Sequence, residues 1–312
     1  MAEQERFSIV SSNATGGDVV VVGSLNLDLV ATTDRLPLPG ETVSGTNYAE
    51  HPGGKGLNQA IAASRSGAST QMMGAVGDDT AGALLVNEAV SASVDTAFIA
   101  TLAGTSTGRA LINVDNCGEN CIVVVPGANS LVTPDMAKGF INQIRRPGKR
   151  VLLAQLELPL DTVAMALQAG RRSGMISILD PAPSIELPSS LLANIDVITP
   201  NEHEVDLLGG VDHLLASGIG AVIVTLGDDG AVLHRPSAPP VHQTAIGINV
   251  VDTTGAGDAF RGALAARVAA GWTLNAALPF AAAAGALATT IAGAVPSLPT
   301  REAIEQLLVT SG

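Results

Sequence analysis

Aromatic side chains are nearly missing from this chain: one Trp, one Tyr and five Phe among 312 residues, 2% in all. A core of this size must be built from Ala, Val, Leu and Ile. That suits helices on a parallel sheet, whose buried strands read as short aliphatic runs. Charge is scarce as well, at 14% against 46% hydrophobic residues, so global disorder is excluded. Positive charge is scarcest: 16 Lys and Arg face 29 Asp and Glu, a formal net charge of -13. Such a balance argues against nucleic acid or an anionic membrane as partner. Local phosphate binding stays open, because glycine-loop amides and a metal ion can do that work. No run reaches the ~18 apolar residues of a membrane span, and no secretory signal is readable, so a cytoplasmic protein is expected. Only two cysteines occur, Cys117 and Cys121, flanking Gly-Glu-Asn in what reads as a hairpin turn. Without a secretion signal, reduced and functionless thiols are expected.

Familiar motifs are missing too. No Gly-x-x-x-x-Gly-Lys-Ser/Thr occurs, and no Gly-x-Gly-x-x-Gly follows the first aliphatic run. That removes the P-loop and the dinucleotide fingerprint.

What is present is alternation. Residues 18–25, 151–157, 175–181, 195–201 and 221–227 read as buried strands with something polar at their carboxyl ends. Between them LNQAIAASRSG, TVAMALQAGRRSG and EHEVDLLGG have helical spacing and stop at glycine. The pattern predicts a three-layer α/β/α fold with a mostly parallel central sheet. Ligands bind beyond the carboxyl ends of such strands, which marks Asn26, Asp28, Glu157, Asp180, Asn201 and Gly227. Two stretches break the rhythm with strand formers, turns and no helix, and predict a small β-sheet lid from residues 30–52 and 106–126. The open edges of such a lid invite pairing with a second copy, hence a homodimer. Residues 18–312 then form one domain bearing the lid, and residues 1–17 a flexible lead.

Two glycine stretches carry the chemistry. In VDTTGAGDAF, Gly255, Ala256 and Gly257 precede Asp258 at a helix start, where backbone amides attract anions. Asp258 there is either a helix cap or a proton acceptor beside a bound phosphate. In GGKGLNQ, Gly53, Gly54 and Gly56 let backbone approach a ligand while Lys55 and Asn58 offer donors. Taken alone, that second stretch is more often a turn with a solvated lysine than a site.

Together, in order with GSLNLD, PGETVSG, GDD, TGRALI, QLELP, DPAP, TPNEHE, TLGDDG and GAVPSLP, the two stretches resemble the PfkB carbohydrate kinases over nearly the whole chain. The resemblance implies phosphorylation of ribose at its primary (O5) hydroxyl by ATP. Within it Asp258 is the base, and the Gly255, Ala256 and Gly257 amides are the anion hole. Asn26, Asp28, Gly54, Lys55, Asn58 and Glu157 match the sugar-binding positions. Asn201 and Glu204 match the element that arranges Mg²⁺ around the phosphates, and Thr225 and Gly227 the loop near the nucleotide. Asp252, Thr254, Ala288, Ile291, Gly293 and Ser297 match the loops around a monovalent cation, K⁺ by the resemblance. Where many members carry Asn near the adenine, this chain has Ala282. Two other readings stand beside this one: a PfkB kinase for another neutral acceptor (deoxyribose, fructose or a nucleoside), and a non-catalytic sugar sensor.

Overall fold

The computed structural model describes residues 17–144 and 149–311. The expected lead thus falls, Gly17 excepted, outside the described residues. Thirteen strands run in chain order: β1 Asp18–Val22, β2 Asn26–Thr33, β3 Gly45–Gly53, β4 Ser69–Gly77, β5 Asp95–Leu102, β6 Gly108–Val114, β7 Asn120–Val125, β8 Arg150–Ala154, β9 Ile176–Leu179, β10 Val197–Ile198, β11 Ala221–Thr225, β12 Ala231–Arg235 and β13 Ala238–Gln243. The helices are α1 Lys55–Arg65, α2 Thr80–Ser91, α3 Pro134–Gln143, α4 Leu160–Arg172, α5 Ser189–Leu192, α6 Glu202–Leu207, α7 Gly210–Ala216, α8 Ala256–Ala269, α9 Leu274–Ala288, α10 Ala294–Ser297 and α11 Arg301–Ser311.

Nine strands form the main sheet in the order β13-β12-β11-β10-β9-β8-β1-β4-β5, all in one direction except β12, which runs antiparallel to its neighbours β11 and β13. β1 shows why the sequence folds this way. Its four valines alternate between the two faces: Val19 and Val21 pack with α1, α8 and α9, while Val20 and Val22 pack with α3 and α4. All four are fully buried, each worth about 1.5–3 kcal/mol. A strand apolar on both faces can live only between two helical layers.

The remaining strands form a mixed four-stranded sheet, β3-β2-β6-β7, with β2 and β6 parallel and the outer pairs antiparallel. It begins earlier than its strand-forming composition suggests. Asn26 and Asp28 were expected at the end of β1, but they open β2, because the chain turns away at Gly23–Leu25. Asn129 fixes that turn by accepting from the Leu25 amide and donating to the Leu25 carbonyl, both at 3.0 Å. Residues 34–44 of the expected lid contain no strand. At the second crossing Asp79 caps α2 through the Gly82 amide and also takes the Thr107 amide and hydroxyl. Burial pushes its carboxyl up, but these donors outweigh it and hold the pKa at about 2. Cys117 and Cys121 are exposed, free thiols beside the β6–β7 turn. No helix among the described residues is long and apolar enough to cross a membrane.

Candidate active site

β3 of the small sheet leads into α1, which packs on α8 and reaches Ser24, Gln155 and Asp180 just past the carboxyl ends of β1, β8 and β9. α1 starts at Gly54, whose φ of 91° favours glycine, and a Cβ there would lie 2.6 Å from the Asn26 amide nitrogen. Its first amides are all satisfied from within the chain. Lys55 N–H donates to Glu157 Oε2 at 3.1 Å, Gly56 to the Ser24 hydroxyl, Leu57 to the Ser24 carbonyl and Asn58 to the Gly54 carbonyl. The Ser24 hydroxyl and Asn26 Nδ2 also donate to Glu157 Oε2. Burial still raises the Glu157 pKa, against the opposing pull of Lys55. Asp28, between burial and the charges of Glu157 and Asp258, is pushed up to about 7. The Lys55 ammonium would be lowered by burial, but Asp180, Asp258 and Glu157 raise it.

α8 starts at Gly255, with φ 81° and no side-chain cap. Of the expected anion-hole amides, Ala256 N–H already donates to the Thr253 carbonyl at 3.2 Å. The amides of Gly255, Gly257 and Asp258 carry no hydrogen bond among the described residues. Asp258 does not cap its helix; its carboxylate faces α1 instead. Oδ2 accepts from Asn58 Nδ2 and Oδ1 from Gln59 Nε2, both at 2.9 Å. Burial raises its pKa, Lys55 opposes this, and Asp180 adds to the rise. The result is a fixed carboxylate with a strengthened hold on a proton.

Elsewhere the arrangement is looser. Asn201 caps α6 in a reciprocal box with Glu204, each backbone N–H donating to the other's side chain at 2.8 Å. Thr225 pairs with Asn201 at the end of β11, and Gly227 opens the following turn. Asp252 accepts from the amides of Thr254 at 2.9 Å and Gly293 at 2.7 Å. These amides outweigh burial and hold its pKa below the carboxylate range. The structure thus joins three of the six expected cation-loop residues. Ser297 instead donates to the Ala294 carbonyl, Ala288 ends α9, and the Ile291 side chain is exposed.

Sequence reasoning missed three side chains here. Gln59 is fully buried and donates to both Asp258 and Asp180, at 2.9 and 2.8 Å. Gln155 donates to Gln59 Oε1 at 2.6 Å, which fixes which end of that amide faces the two acids. Arg261, 5% exposed, reaches Thr199, Asp180 and Glu204. The available signal was charge in an apolar place: Arg261 interrupts the run AFRGALAA.

Residues 17–301 match the family described as pfkB family carbohydrate kinase. The chain belongs to the PfkB family. A ribokinase of Bacillus subtilis (strain 168) is 37% identical over 294 residues, covering 93% of this chain and 99% of that protein. A deoxyribokinase of Salmonella typhi is 32% identical over 304 residues, covering 93% and 98%. The structure of Arabidopsis thaliana ribokinase complexed with ribose and ATP matches with a TM-score of 0.82 at 30% identity, covering 94% of this chain and 98% of that one. This PfkB chain is therefore a sugar kinase with the ribokinase-like α/β fold.

Proposed function

We propose that the protein transfers the γ-phosphoryl group of ATP to the primary (O5) hydroxyl of D-ribose, giving ribose 5-phosphate and ADP. The observation that carries this reading is Asp258, buried and held by two amides beside a helix N-terminus with unused N–H groups. The sugar oxygen attacks the γ-phosphorus, its proton passes to the Asp258 carboxylate, and the bond from phosphorus to the ADP oxygen breaks. Charge moving onto the phosphoryl oxygens meets the Gly257 and Asp258 amides, where it matters most. The Gly255 amide, also without a hydrogen bond among the described residues, would join them, while the Ala256 amide is given to the Thr253 carbonyl.

Asn26, Asp28, Gly54, Lys55, Asn58 and Glu157 surround the space for the sugar. Asn58 supports this directly: its Nδ2 is spent on Asp258, and its buried Oδ1 has no partner among the described residues. A sugar hydroxyl would satisfy it. Asp28, with a pKa of about 7, can serve as donor or acceptor near neutrality.

Mg²⁺ fits beside Asn201 and Glu204, whose oxygens suit a hard cation. Glu204 Oε1 carries no hydrogen bond among the described residues. When bound, the ion would neutralise phosphate charge. Thr225 and Gly227 would border the nucleotide. A monovalent cation, K⁺ in this reading, would sit against Asp252, the carbonyls of Thr254, Ala288, Ile291 and Gly293, and Ser297. It would shape the loop that presents the amides.

The small sheet would act as a lid and as a homodimer surface. β7 is exposed along its whole length, and Ile122, Val123, Val124 and Val125 are each at least 44% exposed. Deoxyribose is the second acceptor to weigh, because a deoxyribokinase is among the relatives. ADP release measured with ribose, deoxyribose, fructose and no sugar tests the reading. Ribose should give the highest kcat/KM; release independent of sugar would contradict it.

A further inference from the structure

Helical side chains lean toward the N-terminus of their helix, so Arg261 runs back over Gly257, one turn earlier. The space it uses exists because residue 257 has no side chain: a Cβ there would lie 2.4 Å from Arg261 Nη1. The guanidinium is then tied down on its other side. Nε donates to Thr199 Oγ1 at 3.0 Å and Nη2 to the Thr199 carbonyl at 2.6 Å. Nη2 also lies 3.2 Å from Asp180 Oδ1 and 3.9 Å from Glu204 Oε2. Nη1 has no hydrogen-bond partner among the described residues, although the side chain is only 5% exposed.

The tip itself is not sealed in the core, so an arriving group can reach it and take the place of water. The free arm lies against the Cα of Gly257, a residue whose amide is unpartnered among the described residues, at the start of α8. An anion with several oxygens, seated on these amides, would meet both. We propose that Arg261 is a further catalytic residue of this kinase, donating from Nη1 to the oxygens of the phosphoryl group in transit. Its Nε and Nη2 arms anchor it through Thr199 and Asp180 and draw Glu204 toward the same centre. Asp180 has a double duty here, since its Oδ2 takes the Gln59 amide that also holds Asp258. One buried carboxylate thereby ties the cation on the phosphate side to the base on the sugar side.

This proposal rests on α8 being the transfer site, so Asp258→Asn is measured alongside. Arg261→Gln and Arg261→Lys are assayed for ADP release with ATP and ribose varied independently, and for ribose binding by calorimetry without nucleotide. Arg261→Gln should bind ribose within about threefold of the native protein and lose ~10²-fold in kcat, the size seen when one charge-stabilising donor is removed. Arg261→Lys should remain at least ~tenfold down, because an ammonium cannot hold Thr199 and reach the phosphoryl oxygens together. Should Arg261→Gln fail to fold, the lysine variant decides alone. Either variant folded and turning over within threefold of native overturns the proposal. Full turnover by Asp258→Asn would instead sink the transfer-site reading itself.

Discussion

Helices α1 and α8 both begin at a glycine of positive φ, 91° at Gly54 and 81° at Gly255, and neither has a side-chain cap. Their N-termini nevertheless differ in what they leave undone. At α1 the chain satisfies every early amide itself, with Glu157, Ser24 and Gly54 as acceptors. At α8 the Ala256 and Ala259 amides are satisfied, by the Thr253 and Gly255 carbonyls, while those of Gly257 and Asp258 between them carry no hydrogen bond among the described residues. A helix start carries a partial positive charge in either case. One spends it on a resident carboxylate, Glu157; the other, in the proposed function, keeps it for the phosphoryl group. The difference lies in the neighbours, since the same glycine start serves both.

Removing the base should have the largest effect. Asp258→Asn keeps shape and one of the two amide contacts, because a single amide oxygen replaces the two that accept from Asn58 and Gln59; ribose binding should persist while kcat falls by ~10²–10⁴-fold, the range for general acid–base loss. A variant retaining a tenth of native ADP release would break the distinction between the two helices.

Glycine substitutions sharpen it further. Ala at Gly257 would push on the tip of Arg261, a flexible side chain, so the protein should fold normally and lose ~10-fold or more in kcat. Ala at Gly54 would meet the Asn26 backbone at 2.6 Å in a strained conformation. There the readout should be a lowered thermal transition. Equal thermal losses at both sites would mean that α8 is as closed as α1.

Glu157→Gln probes the filled N-terminus. It should raise KM for ribose by ~tenfold, with kcat within about threefold, as expected for a residue that holds the ground state. A loss confined to kcat would place Glu157 in the chemistry instead.

The smallest effect concerns Asp28, raised from 3.8 to about 7 by burial, Glu157 and Asp258. Because the folded state holds this proton more tightly, the stabilising contribution is full below about 3.8 and is lost as pH rises through about 7. Without sugar, native protein should lose thermal stability relative to Asp28→Asn across that window. Parallel melting curves would show that Asp28 is not perturbed.

Much of this was legible in residue order. The valine run of β1, the glycine-stopped helices and the polar strand ends fixed the layers, and GGKGLNQ with DTTGAGD marked the two helix starts. Other features depend on direction, which a pattern does not encode. Asn26 and Asp28 read as the tail of β1 because an apolar stretch continues past Gly23–Leu25; only the Asn129 contacts reveal the turn. Arg261 reads as one more polar residue on a helix until its path over Gly257 is known. Gln59 looks like core filling, yet its two donated bonds orient two acids.

The most direct test is a crystal structure with ribose, ADP and a fluoroaluminate mimic of the phosphoryl group in transit. The planar anion should lie ~3 Å from the amides of Gly257 and Asp258, with the ribose O5 between it and the Asp258 carboxylate. An anion seated at the start of α1, or one out of reach of the α8 amides, would contradict it.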